Sequence, residues 1–258
     1  MKHLVLTLIA ATALCTSATA QTRVKNIYAN STKLNVELLQ DQEQTVQLNR
    51  YLFAGYNTLC MPMSLTADNL SAAAKDLRVE KLVAIQQEGA TLNLFFVDCT
   101  NEGIQAGMPY LVYSPTTQYL RVKNTDAMNI STELKVVRLS DDNGNQVTFG
   151  SGWENIKKAG RYGIPAQQDV TPLESVLVRT EADKNFLPTR CGFMWDQQSP
   201  TARELNIRHA ANMSDVTAIV GVEQAKKGAA CYDLSGRKID GQAKKGVYVV
   251  GGEKVIMR

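Results

Sequence analysis

The chain has 258 residues, with 28 lysines and arginines against 25 aspartates and glutamates, a formal charge of +3 at neutral pH, and only two histidines. So even a balance, with the two signs interleaved and no basic tract, gives no footing for a nucleic-acid or acidic-polymer partner. With His3 at the extreme N-terminus, His209 is the one histidine of the body. Any site that needs two imidazoles is therefore excluded.

Met1 to Ala20 sets Lys2 ahead of an apolar stretch from Leu4 to Cys15 and ends small-x-small in Ala18-Thr19-Ala20 before Gln21. This is the layout of a cleavable secretory signal, since the apolar stretch is too short to cross a bilayer. A lipoprotein anchor would use Cys15, but Leu14 stands where such signals carry a small residue. The expectation is export to the medium or the outer cell surface, with no transmembrane segment in the mature chain.

From Gln21 to Arg50 the pattern is strand-like: Val24 to Tyr28, then Leu34, Val36 and Leu38 alternating with polar residues, then Val46 and Leu48, with turns at Asn30-Ser31 and Asp41-Gln42. Tyr51 to Thr66, YLFAGYNTLCMPMSLT, carries Tyr51, Phe53, Leu59, Met61 and Met63 at a spacing of two, interrupted at Gly55. It predicts two strands joined by a bend, with these side chains on one face. Ser64 or Thr66 then caps a helix over Ala67 to Leu77, with Asp68 in its first turn.

Further strands are expected at Val79 to Ile85 and Leu92 to Val97, joined through Glu88-Gly89-Ala90, with Leu92, Leu94 and Phe96 on one face. Ala106-Gly107 turns the chain into Pro109 to Tyr113, where Pro109 belongs at a strand start or an edge. Short strands follow at Tyr119 to Val122, Met128 to Ser131 and Glu133 to Leu139, with Ser140 to Asn145 as a turn. Val147 to Phe149, Tyr162 to Ile164, Ser175 to Val178, Thr189 to Trp195 and Glu204 to Ile207 complete the set.

The expected fold is all-β: an antiparallel β-sandwich over residues 21–211 with one short helix, then a linker and small C-terminal β module over 212–258. In that module three very short strands are expected, with Val247, Val249, Val255 and Met257 alternating and Gly251-Gly252 as a primed hairpin turn.

Tyr232-Asp-Leu-Ser-Gly236-Arg237-Lys238, then Lys245-Gly246-Val247-Tyr248-Val249 and Lys254-Val255-Ile256, resemble the C-terminal sorting segment of type IX secretion cargo. The resemblance implies outer-membrane passage, with Tyr232, Gly236, Arg237, Gly246 and Tyr248 in the sorting tail and the secretion machinery as partner. In the body, Asn57 to Thr66, Ala106 to Leu111 and Pro188 to Phe193 resemble the TLCLPF…LT, AGTPYL and RCYF landmarks of uncharacterised secreted bacterial β proteins that carry such tails. Met61, Met63, Met108 and Gly192 depart from those landmarks. That resemblance implies a fold and no activity.

No cofactor or metal site is expected. The acidic run Asp141 to Asn145 lacks the spacing and closing glutamate of a calcium loop and reads as a turn. Cys60, Cys99, Cys191 and Cys231 form no CxxC pair. Their even count in an exported chain invites a pairing such as Cys60 with Cys191, while apolar neighbours such as Leu59 and Phe193 read as the setting of buried thiols, which is the expectation. Cys191 with His209 is the nucleophile–base combination that the composition leaves, but the one lies in an apolar strand and the other at the end of a strand.

The functional expectation is a secreted or surface non-enzymatic module that binds a glycan, a peptide or an envelope partner. An extracellular hydrolase is the alternative. Tyr110, Tyr113, Tyr119, Trp153 and Trp195 are the aromatic candidates for a contact surface. Trp153, Tyr113 and Tyr119 are the binding residues chosen, Trp153 first because Gly150-Ser151-Gly152 places it in a loop.

Overall fold

The structure is a computed structural model that describes residues 24–30, 32–41, 43–157, 160–165, 177–180, 185–196, 203–216, 231–233, 237–239, 246–250 and 253–257. Met1 to Ala20, expected as a secretory signal, Gly236, Gly251-Gly252 and most of the expected linker lie outside those residues.

The fold is all-β. Its centre is a five-stranded sheet, in the order β17-β6-β5-β7-β3, built from β3 (Gly55–Cys60), β5 (Arg78–Glu88), β6 (Thr91–Asp98), β7 (Pro109–Ser114) and β17 (Glu204–Ala210). One face packs on a three-stranded sheet of β1 (Lys25–Tyr28), β2 (Val46–Leu52) and β8 (Gln118–Lys123), together with helices α1 (Glu37–Gln40) and α2 (Ala67–Ala73). Leu48, Leu52, Leu59, Leu70, Val112 and Leu120 fill this first core.

The opposite face meets a second five-stranded sheet, β10-β11-β16-β13-β14, of β10 (Val137–Ser140), β11 (Gln146–Gly150), β13 (Tyr162–Gly163), β14 (Val178–Arg179) and β16 (Gly192–Asp196). Leu94, Phe96, Leu111, Phe149 and Phe193 close this second core, where the Phe149 and Phe193 rings stack at 4.3 Å. Two small pairs, β4 (Met63–Ser64) with β9 (Asn129–Ile130) and β12 (Ile156–Lys157) with β15 (Asn185–Phe186), complete the body. The C-terminal module is a four-stranded sheet, β19-β18-β20-β21, of β18 (Cys231–Asp233), β19 (Lys238–Ile239), β20 (Gly246–Val250) and β21 (Glu253–Met257), one strand more than expected.

Several elements depart from the sequence reading, each for a local reason. The alternation of Leu34 and Val36 does not run on to Leu38. Asn35 Oδ1 accepts the Glu37 N–H at 3.1 Å, the chain turns into α1, and Leu39 becomes the buried side chain. Tyr51 and Phe53 do not share the face of Leu59 and Met63, because β2 and β3 lie in different sheets and β2 buries Val46, Leu48 and Leu52 instead. The break falls at Gly55, whose φ of 92° suits glycine. Thr66 is the cap that forms, accepting the Asn69 N–H at 3.1 Å. Helix α2 stops at Ala73 rather than Leu77: the Gln118 amide binds both the N–H and the carbonyl of Lys75, at 2.9 and 2.8 Å, and fixes that residue outside the helix. Residues 133–136 join no ladder and are pinned instead by the Lys135 N–H to the Gly107 carbonyl at 2.9 Å.

Among the described residues two pairings are parallel, β1 with β2 and β17 with β6, and the other ladders are antiparallel. The first is made by a crossover through α1. The second is made by the long excursion through the facing sheet, and parallel neighbours need such connections.

Candidate binding surface

Alternation along β1, β2 and β8 decides what their outward face carries. With Ile27, Val46, Leu48, Leu52, Leu120 and Val122 turned to the core, the intervening residues lie on the other face: Asn26 and Tyr28, Gln47, Tyr51 and the buried Asn49, and Tyr119, Arg121 and Lys123. The register then sorts them along the face. Tyr51 lies opposite Tyr119, Tyr28 opposite Asn49, Asn49 opposite Arg121, and Gln47 opposite both Asn26 and Lys123. One end is aromatic and the other amide and cationic.

At the aromatic end the rings pack edge to face. Tyr51 is 5.0 Å from Tyr119 and 5.0 Å from Phe53, and Tyr28 is 6.4 Å from Tyr119. Tyr28 is 48% exposed, the other three are half-buried, and the Arg121 guanidinium lies 5.1 Å from the Tyr119 ring centre. At the amide end Gln47 Nε2 donates to Asn26 Oδ1 at 3.1 Å and to Asn49 Oδ1 at 3.0 Å, while Asn49 Nδ2 donates to the Ile27 carbonyl at 3.1 Å. These bonds hold the amides in place, so the face is preorganised.

Trp153 stands elsewhere, between the two cores. Its Nε1–H donates to the Thr132 carbonyl at 2.7 Å, its carbonyl accepts the Leu34 N–H at 2.7 Å, and the half-buried ring packs against both clusters. It lines a groove of about 500 Å³ with Leu34, Val36, Leu134 and Ile156, and the Lys33–Glu154 ion pair at 2.7 Å lies at its rim.

Tyr113 is in a third place, on the central sheet. There its ring meets Tyr56 at 5.3 Å and the Arg78 guanidinium at 5.6 Å. The structure therefore does not bring Trp153, Tyr113 and Tyr119 together.

Around Tyr113 lies a polar cluster that the sequence reading missed. Glu80, only 2% exposed, binds Arg78 Nε at 2.8 Å and His209 Nδ1 at 2.6 Å, and the imidazole stacks on Tyr56 at 4.5 Å. The Tyr56 hydroxyl also bonds the Arg78 guanidinium. Burial, reinforced by the Glu80 charge and opposed by Arg78, pushes the Tyr56 phenol up to about 12. The signal available was Arg78-Val79-Glu80, two charges on one face of an apolar strand. Nothing in the sequence tied them to His209 without the parallel β17–β6 register.

No protein-family model, curated protein or solved structure matches this chain.

Cys191 is not a partner of His209. It is buried in the second core beside Cys60, its N–H donates to Thr58 Oγ1 at 2.9 Å, and burial pushes its thiol well up. A thiol so protonated is no nucleophile. Asp141 acts as a turn former: its Oδ1 accepts the N–H groups of Asn143 and Asn145 at 3.0 and 2.9 Å. Among the described residues no group of three or more His, Cys, Asp or Glu could hold a metal ion, and no helix is long and apolar enough to cross a membrane.

Proposed function

We propose that this protein is an exported, non-enzymatic binding module whose outward β1-β2-β8 face takes a glycan. One observation carries the reading: Tyr28, Tyr51, Phe53 and Tyr119 sit on the same sheet face as Asn26, Gln47, Arg121 and Lys123. Aromatic rings supply flat apolar area for sugar C–H groups, and amides and guanidinium supply directional hydrogen bonds to hydroxyls. The charge of the whole chain is balanced, but Arg121 and Lys123 concentrate positive charge locally on this face, and that end favours a glycan with carboxylate or phosphate groups. A peptide or envelope protein on the same face is the competing occupant.

The test is affinity electrophoresis of the full chain through gels containing acidic or neutral polysaccharide. Retardation by the acidic gel, lost in Tyr28→Ala/Tyr119→Ala, supports the reading. Unretarded migration in both gels argues for a protein partner.

The address belongs to the same proposal. Met1 to Ala20 directs the chain across the inner membrane and is then removed, and the tail carrying Tyr232, Gly236, Arg237, Gly246 and Tyr248 engages the type IX machinery. Secretion of a reporter fused to residues 216–258 supports this, and a reporter left in the periplasm counts against it.

The extracellular-hydrolase reading draws on the Glu80–His209 pair alone, a carboxylate that orients an imidazole. Hydrolysis of an ester, peptide or glycoside panel that His209→Ala abolishes would favour it.

A further inference from the structure

Cys60 and Cys191 are distant in sequence and adjacent in the second core, where they are 0% and 1% exposed. The Cys60 N–H donates to the Thr189 carbonyl at 2.9 Å. Thr58 Oγ1 donates to the Cys191 carbonyl at 3.0 Å and accepts the Cys191 N–H at 2.9 Å. Residues 58–60 and 189–191 thus run alongside each other with interlocked hydrogen bonds, and both cysteine side chains lie in the same apolar cluster. Cys99 lies in the other core. The structure holds all three as thiols.

We propose that Cys60 and Cys191 are a disulfide pair, joining the end of β3 in the central sheet to the residue just before β16 of the facing sheet. The step is an oxidation in which both S–H bonds are lost and one Sγ–Sγ bond forms. Two protons and two electrons pass to an oxidant of the thiol–disulfide class, whose own disulfide is cleaved to two thiols. The supply of such an oxidant rests on the export reading above, whereas the pairing rests on the core geometry.

Burial makes the order of events definite. A core thiol held far above its ordinary range gives no thiolate at neutral pH, so the bond closes while the chain is folding. Once made, the same burial shields it from reductants. The bond would close a loop spanning half of the chain and act on the alignment of the two sheets.

The test uses the full chain, refolded in a mixture of reduced and oxidised glutathione, alkylated without reduction and mapped by peptide mass spectrometry. The expected result is one cross-linked peptide containing Cys60 and Cys191, with Cys99 alkylated only after unfolding. Reduction, or the double variant Cys60→Ala/Cys191→Ala, should lower the Tm by on the order of 10 °C, the effect of removing a cross-link that closes a long loop. Alkyl groups on both Cys60 and Cys191 after oxidative refolding would overturn the proposal, as would a cross-link from either to Cys99 or Cys231. Because refolding is done in vitro, a failure of the export reading leaves this result unaffected.

Discussion

Replacing Trp153 by alanine removes a side chain that the structure uses in two ways. The indole packs against both cores, and its Nε1–H satisfies the Thr132 carbonyl at 2.7 Å. Deleting a fully buried Trp costs roughly 3–5 kcal/mol. This ring is half-buried, which reduces the packing loss to about 2 kcal/mol, and the hydrogen bond adds about 1 kcal/mol at most because Thr132 can turn to water. The expected loss is therefore about 2–3 kcal/mol, a Tm decrease of roughly 5–10 °C for a body of this size. Trp153→Phe keeps most of the packing and should lose about 1 kcal/mol. Urea denaturation followed by far-UV circular dichroism measures both. An alanine variant within about 0.5 kcal/mol of wild type would refute the reasoning, because the ring would then be a surface contact and the groove beside it the better binding site.

Four other outcomes follow from the geometry. Gly107→Ala should cost about 2–4 kcal/mol, since a Cβ there would sit 2.1 Å from the Glu133 carbonyl oxygen at a φ of 75°; an unchanged urea midpoint would contradict this. Glu80→Gln weakens the contacts to Arg78 and His209 and should cost about 2 kcal/mol, with hydrogen exchange rising first along β17; uniform exchange would contradict it. Stability should fall with alkali, because the Cys99 thiol is pushed up from 9.0 to about 12 by burial and then by Glu102, as the Tyr56 phenol is pushed up from 10.0. In both cases the folded state keeps a proton that the unfolded chain has released, so their contribution is complete below about pH 9 and is lost as the pH rises to about 12; Cys99→Ala should flatten the early part of that decline in urea midpoints. Tyr28→Ala should leave the Tm within about 2 °C of wild type, since the ring is 48% exposed.

Local rules of strand and cap carried the sequence reading a long way. The hairpin at Gly89-Ala90, the turn at Asp141 to Asn145, the Thr66 cap and the start of β7 at Pro109 all depend on residues close in sequence, and all are found. What failed was decided by distant partners. Gln118 ends α2 from 43 positions away, and whether Tyr51 faces in or out depends on which sheet β2 joins. The site was less legible for the same reason. The sequence groups Tyr119 with Trp153 and Tyr113, but its setting with Tyr28, Tyr51 and Phe53 needs the parallel β1–β2 register, and the Glu80–His209 contact needs the parallel β6–β17 register. Periodicity gives the faces of a strand and no information on its neighbours.

The most direct test of the binding account is a glycan array probed with the fluorescently labelled full chain and with the Tyr28→Ala/Tyr119→Ala variant. The account predicts that the wild type is retained by acidic glycans and that the variant, folded by circular dichroism, loses that retention. Retention of the variant at wild-type levels, or no retention of the wild type by any glycan, would contradict it.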